Sequence, residues 1–454
     1  MTQPMDSIIS NSPISLQGKG MKNIKRIFVL ASLFLPYLSA GAFGAQEIAI
    51  RAGTILPISN APIENGTILI KDGKIAALGQ NVAVGADARV IDASGKFVMP
   101  GLIDAQSRLF VIDSELNESS SVAPELNILD GLDPFVKEAP EVAAQGVTAI
   151  YISPGSRSLI GGSSAVLKLN GSKDIGKMLL KGDVAVKAAI GVSANNESSS
   201  LGRLANYSSI REALLETKLY IHNKEKYERE LAEYNKKKAE YDKKKKANPA
   251  EKIDKPKRPA RFGPNPTHEV LAKVLSKEIP LQIEAHRVTD ILNALRLADE
   301  FGFKLILDKC TEGYLVAEEI ARRKAPVILG PVSTSFADMP RLEYRHHDIR
   351  NAAILSEKGI KLALGVSGRD GASSKFIALA AAMAVANGMD RDMALRAVTL
   401  TPAEILGVAD RIGSLEVGKD ADIVILSGHP LDTLSQVEMV LIEGKTVFER
   451  KDQQ

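Results

Sequence analysis

The chain has 454 residues, 45% of them hydrophobic and 25% charged, with a formal net charge of +3. That is long for one ordinary domain, although a barrel absorbs most of such a length, and the composition is that of a globular protein with a full core. The small net charge singles out no partner for the whole molecule, and the lone cysteine, Cys310, excludes an intramolecular disulfide and any cysteine-based zinc cluster.

Residues 1–20 are polar and patternless. Met21-Lys-Asn-Ile-Lys-Arg26 is basic, residues 27–38 are apolar, and residues 39–45 are mostly small. This is the layout of a secretory signal peptide, and its apolar run is too short for a stable bilayer span. Cleavage within 42–45 is expected, with Met21 a candidate start. The mature protein is then exported, periplasmic or secreted, with no stable membrane anchor; the competing reading is an uncleaved N-terminal anchor.

Residues 46–98 alternate apolar and polar positions between glycine turns, and Asp72-Gly73 between two apolar runs predicts a hairpin. Residues 413–451 have the same character, so the two ends are expected to pair into one small β-sandwich. Between them, about 99–412, apolar runs at 147–153, 185–191, 281–285, 304–308, 326–330 and 361–365 read as strands. Helical patterns at 289–300, 313–323, 349–358 and 376–387 separate most of them. This alternation predicts an α/β fold with a parallel sheet covered by helices; eight such units close a TIM barrel.

An insertion at about 210–262 interrupts the alternation. Residues 210–247 are helix-prone and very polar, with Tyr220, Tyr227, Tyr234 and Tyr241 seven apart on one face. Lysines crowd the far end, and a Pro/Lys-rich linker, 248–266, returns the chain. The expectation is a solvated helix leaving the surface, removable by deleting 216–262; the other reading is a docking arm for a partner subunit or an anionic surface. The lysine run lacks interleaved aromatics, so no nucleic-acid partner is expected.

Several motifs point to one family. They are Val98-Met-Pro-Gly-Leu-Ile-Asp-Ala-Gln-Ser-Arg108, Ile283-Glu-Ala-His-Arg287, Lys309-Cys-Thr-Glu-Gly-Tyr314, Leu400-Thr-Pro-Ala-Glu-Ile-Leu-Gly407 and Gly413-Ser-Leu-Glu-Val-Gly-Lys-Asp-Ala-Asp-Ile-Val-Ile425. Over about 46–450 the chain resembles the amidohydrolase superfamily, most closely its imidazolonepropionase-like branch. The resemblance implies a metal-dependent-hydrolase type TIM barrel with a composite β-sandwich built from both chain ends. It also implies a metal centre: two histidines from strand 1, a glutamate or carboxylated lysine from strand 4, a histidine from each of strands 5 and 6, and an aspartate base from strand 8. Aligned on the motifs, those places hold Gln106 and Arg108, Val192, Glu284, Lys309 and Ser367, while His286 survives beside Glu284.

Every implied ligand has changed. Arginine stays protonated and lysine rarely ligates a metal. A replacement set of Glu284, His286 and Asp308 suffers because Asp308 is one residue out of phase with Lys309. No resident cofactor is expected, zinc only if an atypical site operates. Glu284 is expected to sit against Lys309 or Arg108, because a buried unpaired charge is costly, and Cys310 to be an inert thiol. The chain is therefore read as a non-catalytic homologue acting as a binding or partner subunit. An active paralogue or another envelope protein is the expected partner, and a small molecule the expected ligand. The alternative is a hydrolase of carbon–nitrogen bonds with an atypical active site.

Overall fold

The computed structural model describes residues 47–111, 121–191, 203–333, 343–366 and 371–451, all within one compact unit, Ala45–Gln454. The segment read as a signal peptide lies outside the described residues. The alternating ends do meet. They form a single hydrogen-bonded sheet of eight strands in the spatial order Lys445–Glu449, Val437–Ile442, Ile423–Leu426, Arg89–Pro100, Ile48–Ile55, Thr67–Lys71 and Lys74–Gly79, with Ile63–Glu64 paired to Ile48–Ile55. The sheet carries its own apolar cluster, drawn from both chain ends and including Ile50, Ile68, Ile75, Val98, Ile423 and Leu441. Asp72 and Gly73 turn the expected hairpin with φ of 51° and 75°, the pair of positive angles that a two-residue turn of this hand requires.

The central α/β body has two further sheets. In one, Leu362–Leu364, Val327–Leu329, Leu305–Lys309, Leu281–Ala285 and Val186–Ala189 run parallel, with Ile160–Ser163 antiparallel at the edge. In the other, Leu102–Ser107 and Val147–Ile152 are parallel, followed by antiparallel Ala165–Lys168 and Leu179–Lys181. The backbone ladders thus form two sheets and not one closed ring. Their inner faces nevertheless share one cluster that includes Ile103, Ala149, Tyr151, Ile306, Ile328 and Ala363. Polar bonds bridge both seams: Ser164 N–H donates to Ala185 O at 3.0 Å, and Val366 N–H donates to Asp104 Oδ1 at 3.3 Å.

The inserted helix is longer than the pattern suggested, Arg203–Ala247, 45 residues or about 67 Å. Its first part belongs to the body. Ile210, Leu214, Thr217 and Tyr220 are buried, spaced three and four apart as one helical face requires, against the helices Pro266–Leu275 and Val288–Phe301. Beyond Tyr220 the helix projects. The chain then returns along it: Lys245 Nζ donates to Glu251 O at 2.6 Å, and the Phe262 ring lies 5.1 Å from Tyr220 and 6.0 Å from Tyr227. Between those anchors Ile253, Pro256, Pro259 and Phe262 are half-buried while the residues between them are exposed. A period of three is that of polyproline II, whose rise of about 3.1 Å per residue carries Glu251 to Phe262 over roughly 34 Å. The helix covers about 37 Å between Tyr220 and Lys245. The two paths match in length, so the proline-rich run straps the tyrosine stripe.

A deletion of 216–262 therefore cuts too deep, since it removes buried Thr217 and Tyr220. Replacing residues 228–259 by Gly-Ser leaves the base intact. That shortened chain is expected to keep a single cooperative melt within a few degrees of the native one by circular dichroism, whereas the 216–262 deletion lowers it markedly; loss of cooperativity in the shorter deletion would make the arm part of the core.

Candidate functional site

The site begins with strand register. Glu284 on Leu281–Ala285 stands opposite Asp308 on Leu305–Lys309, so both side chains project to the same face. On the other side of Leu281–Ala285, Lys187 stands opposite Gln282, two residues before Glu284. Its long side chain rises from that deeper layer and ends between the carboxylates. Lys187 Nζ donates to Glu284 Oε2 at 3.2 Å and makes a close ion pair with Asp308 Oδ2. All three residues are at most 3% exposed.

Each carboxylate also takes two further donors. Asp308 Oδ1 accepts the Gln106 side-chain amide and, at 2.9 Å, the Lys309 backbone N–H. Glu284 accepts the Ser156 hydroxyl and, at 3.3 Å, His286 Nε2–H. With Nε2 donating, His286 Nδ1 accepts from the Thr311 hydroxyl at 2.7 Å. Burial alone pushes the Glu284 carboxyl up, but Lys187, the His286 hydrogen bond and the Lys309 charge outweigh it and hold it well below the usual carboxylate range. Burial likewise pulls the Lys187 ammonium down, and Asp308 and Glu284 overcome it, leaving it above its ordinary value.

The end of Leu305–Lys309 is unusual. Lys309 and Cys310 are left-handed, with φ of 67° and 49°, and Cys310 N–H donates to Asp308 O at 2.9 Å. A bond spanning two residues about a positive φ is a γ-turn, an uncommon and strained geometry. It makes Asp308 the last inward residue of the strand and puts Lys309 in the turn. Burial, then the neighbouring Lys187 and Arg108 charges, lower the Lys309 ammonium against the opposing pull of Asp308 and Glu284. Cys310 is buried, and burial with the Asp308 charge pushes its thiol up, as an inert cysteine requires.

Gln106 fills space as well as bonding. A Cβ added to Gly365 would lie 2.6 Å from Gln106 Cβ, and one on Gly330 would lie 2.3 Å from its Oε1. Nearby, the crevice lined by Pro331, Val332, Gly365 and Met383 holds about 10 Å³, at the lower limit for one water. A larger opening of about 610 Å³ lies elsewhere, at the N-terminal ends of the strands beside Ile279, Phe303 and Gly407.

Of the residues singled out by sequence, the structure brings together Gln106, Glu284 and His286, with Lys309 in the adjoining turn and Arg108 near it. Val192 and Ser367 lie outside the described residues. The expectation that Lys309 or Arg108 holds Glu284 missed the cation inside the site, Lys187, and Asp308 proves to be in phase with Glu284. The resemblance implied a glutamate or carboxylated lysine from strand 4. Lys187 comes from that region, with its Nζ lying between both carboxylates.

These residues do not fit a dication. The place facing both carboxylates is taken by a positive charge with three donors, so a metal there would meet repulsion where it needs free lone pairs. Among the described residues, no group of three or more His, Cys, Asp and Glu side chains is arranged to hold a metal.

A second buried ion cluster lies where the body meets the eight-stranded sheet. Lys168 Nζ donates to Asp420 Oδ2 at 2.7 Å, Asp422 Oδ1 at 3.2 Å and Glu443 Oε1 at 3.1 Å. Arg411 adds a 2.6 Å pair to Asp420. The aspartates of the Gly413–Ile425 motif therefore join the two parts of the protein.

Comparison with known proteins agrees with this fold. The amidohydrolase family model matches residues 191–447. An imidazolonepropionase of Desulfotalea psychrophila is 25% identical over 387 residues, 81% of this chain and 87% of that protein. An amidohydrolase of Hapsidospora irregularis is 24% identical over 85% of this chain, which spans only 39% of that relative's length. A crystal structure of an amidohydrolase from Thermotoga maritima superposes with a TM-score of 0.74 at 31% identity, covering 89% of this chain and all of that one. The chain belongs to the amidohydrolase family, with imidazolonepropionase-like homology, and its described residues lack the family's metal-binding set.

Proposed function

We propose that this protein is a non-catalytic amidohydrolase homologue, a TIM barrel with a composite β-sandwich, exported to the periplasm or beyond, that acts as a binding or partner subunit. One observation carries the reading: the Lys187 ammonium is shared by Glu284 and Asp308. A hydrolytic metal must polarise a bond and activate water at an open coordination position. A lysine saturated by two carboxylates does neither. An active relative or another envelope protein is the partner such a subunit would serve, and a small molecule the ligand its mouth would take. The alternative, a carbon–nitrogen hydrolase with an atypical centre, has one feature in its favour: Lys309, with its lowered ammonium pKa, sits in a strained turn, as an amine suited to proton transfer would.

Protein expressed with supplementary zinc is expected to carry no stoichiometric metal and to turn over neither dipeptides, lactams nor imidazolones. Stoichiometric zinc, with turnover abolished in Glu284→Gln, would overturn the reading.

The ion triad also sets a pH signature. Glu284 is depressed, so its contribution is present above its unfolded pKa of about 4.3 and is lost as pH falls through its lower folded value. Lys187 is raised, so its contribution is present below about 10.4 and is lost as pH rises through its higher folded value. Lys187→Met leaves two buried carboxylates without their cation and should cost about 3–5 kcal/mol at pH 7 in urea melts. Because burial then pushes the Glu284 carboxyl up with no Lys187 charge to oppose it, that group protonates more readily in the folded variant, and the gap to the native chain should narrow between pH 6 and pH 4. A gap that stays constant would mean that the triad is not electrostatically closed.

A further inference from the structure

The arm is the strongest charge feature of the molecule, and the central site makes no use of it. Between Lys236 and Arg261 stand twelve Lys or Arg against four Asp or Glu, an excess larger than the +3 of the whole chain. The remainder of the protein is therefore net negative and the tip is a separate positive pole. Except for Lys245, which caps the turn-back through the Pro249 and Glu251 carbonyls, these cations are exposed, on the helix and on the returning strap alike.

The rest of the tip narrows what it fits. Tyr227, Tyr234, Tyr241 and Phe262 are half-buried on the strapped face, so no aromatic ring is free to stack on a base. None of the exposed large hydrophobic side chains among the described residues lies between 221 and 265, so the arm offers no apolar anchor of the kind that carries protein–protein affinity. What remains is a cationic end held tens of ångströms from the body by a helix and a strap of matched length. A membrane suits it: anionic headgroups diffuse laterally to meet a fixed set of cations, and no shape match is required.

We infer that the distal arm, residues 236–261, docks the protein on an anionic phospholipid surface by Coulomb attraction alone, without insertion. The inference is independent of whether the central site is catalytic. Each lysine near such a surface strengthens partitioning by about fivefold, and the attraction is screened within about 10 Å at 0.1 M salt.

The test uses residues 45–454, which form one compact unit and omit the apolar run at 27–38. Cosedimentation is measured with vesicles of phosphatidylcholine alone and of phosphatidylcholine with an equal part of phosphatidylglycerol. The native chain should pellet with the anionic vesicles only, and raising salt to about 0.5 M should release it. The variant Lys243→Gln, Lys244→Gln, Lys246→Gln, Lys255→Gln, Lys257→Gln should bind at least a hundredfold more weakly with an unchanged melt. Equal binding to both vesicle types, no binding to either, binding by the native chain that salt does not weaken, or full binding by the variant would overturn the inference. Tighter binding to duplex DNA than to the anionic vesicles would overturn the choice of lipid.

Discussion

The structure turns on one ammonium shared by two carboxylates. Burying an isolated ion costs several kcal/mol even after relaxation, so Lys187, Glu284 and Asp308 are tolerated at the centre only together. Their neighbours follow from that requirement. Gln106 and the Lys309 N–H occupy the outer lone pairs of Asp308, Ser156 and His286 those of Glu284. Gly330 and Gly365 have no room for a Cβ because Gln106 lies against them. A metal centre keeps lone pairs free and a position open. Here three donors hold each carboxylate, and a glutamine occupies the adjoining space.

The second ion cluster separates retention of fold from retention of chemistry. Lys168, Asp420 and Asp422 are all at most 4% exposed and pin the eight-stranded sheet to the body. Burial pushes the Asp422 carboxyl up against the pull of Lys168; burial pushes Asp420 up too, but Lys168, Lys74 and Arg411 outweigh it and hold that carboxyl down. The Gly413–Ile425 motif is intact in a chain whose catalytic positions have changed because its aspartates work at this junction and not at the reacting centre. A shared fold therefore argues little about shared activity.

Much of the architecture was legible because it rests on local rules. Asp72-Gly73 demanded a turn with two positive φ angles, the βα alternation demanded parallel strands under helices, and the seven-residue tyrosine spacing marked one face of the arm. The strap was less visible: its period of three in Ile253, Pro256, Pro259 and Phe262 has meaning only beside the tyrosines it covers. The site was less legible than the fold. Lys187 was passed over because motif alignment pointed to Val192, yet a lysine inside the apolar run Val184-Ala-Val-Lys-Ala-Ala-Ile190 is the signal of a buried charge seeking partners. Motif alignment puts Lys309 in the ligand place and leaves Asp308 one residue out of phase with it; in the ladder Asp308 itself pairs with Glu284, and nothing in a lysine followed by a cysteine announces the left-handed turn that ends the strand at Lys309.

The most direct measurement of the central claim is a double-mutant cycle in urea at pH 7 on Lys187→Met, Asp308→Asn and the pair. Buried, mutually dependent charges predict single variants that each lose about 3–5 kcal/mol, and a pair that loses less than the sum by about 2 kcal/mol or more. Losses that add to within about 0.5 kcal/mol would contradict the account, since independent sites behave in that way.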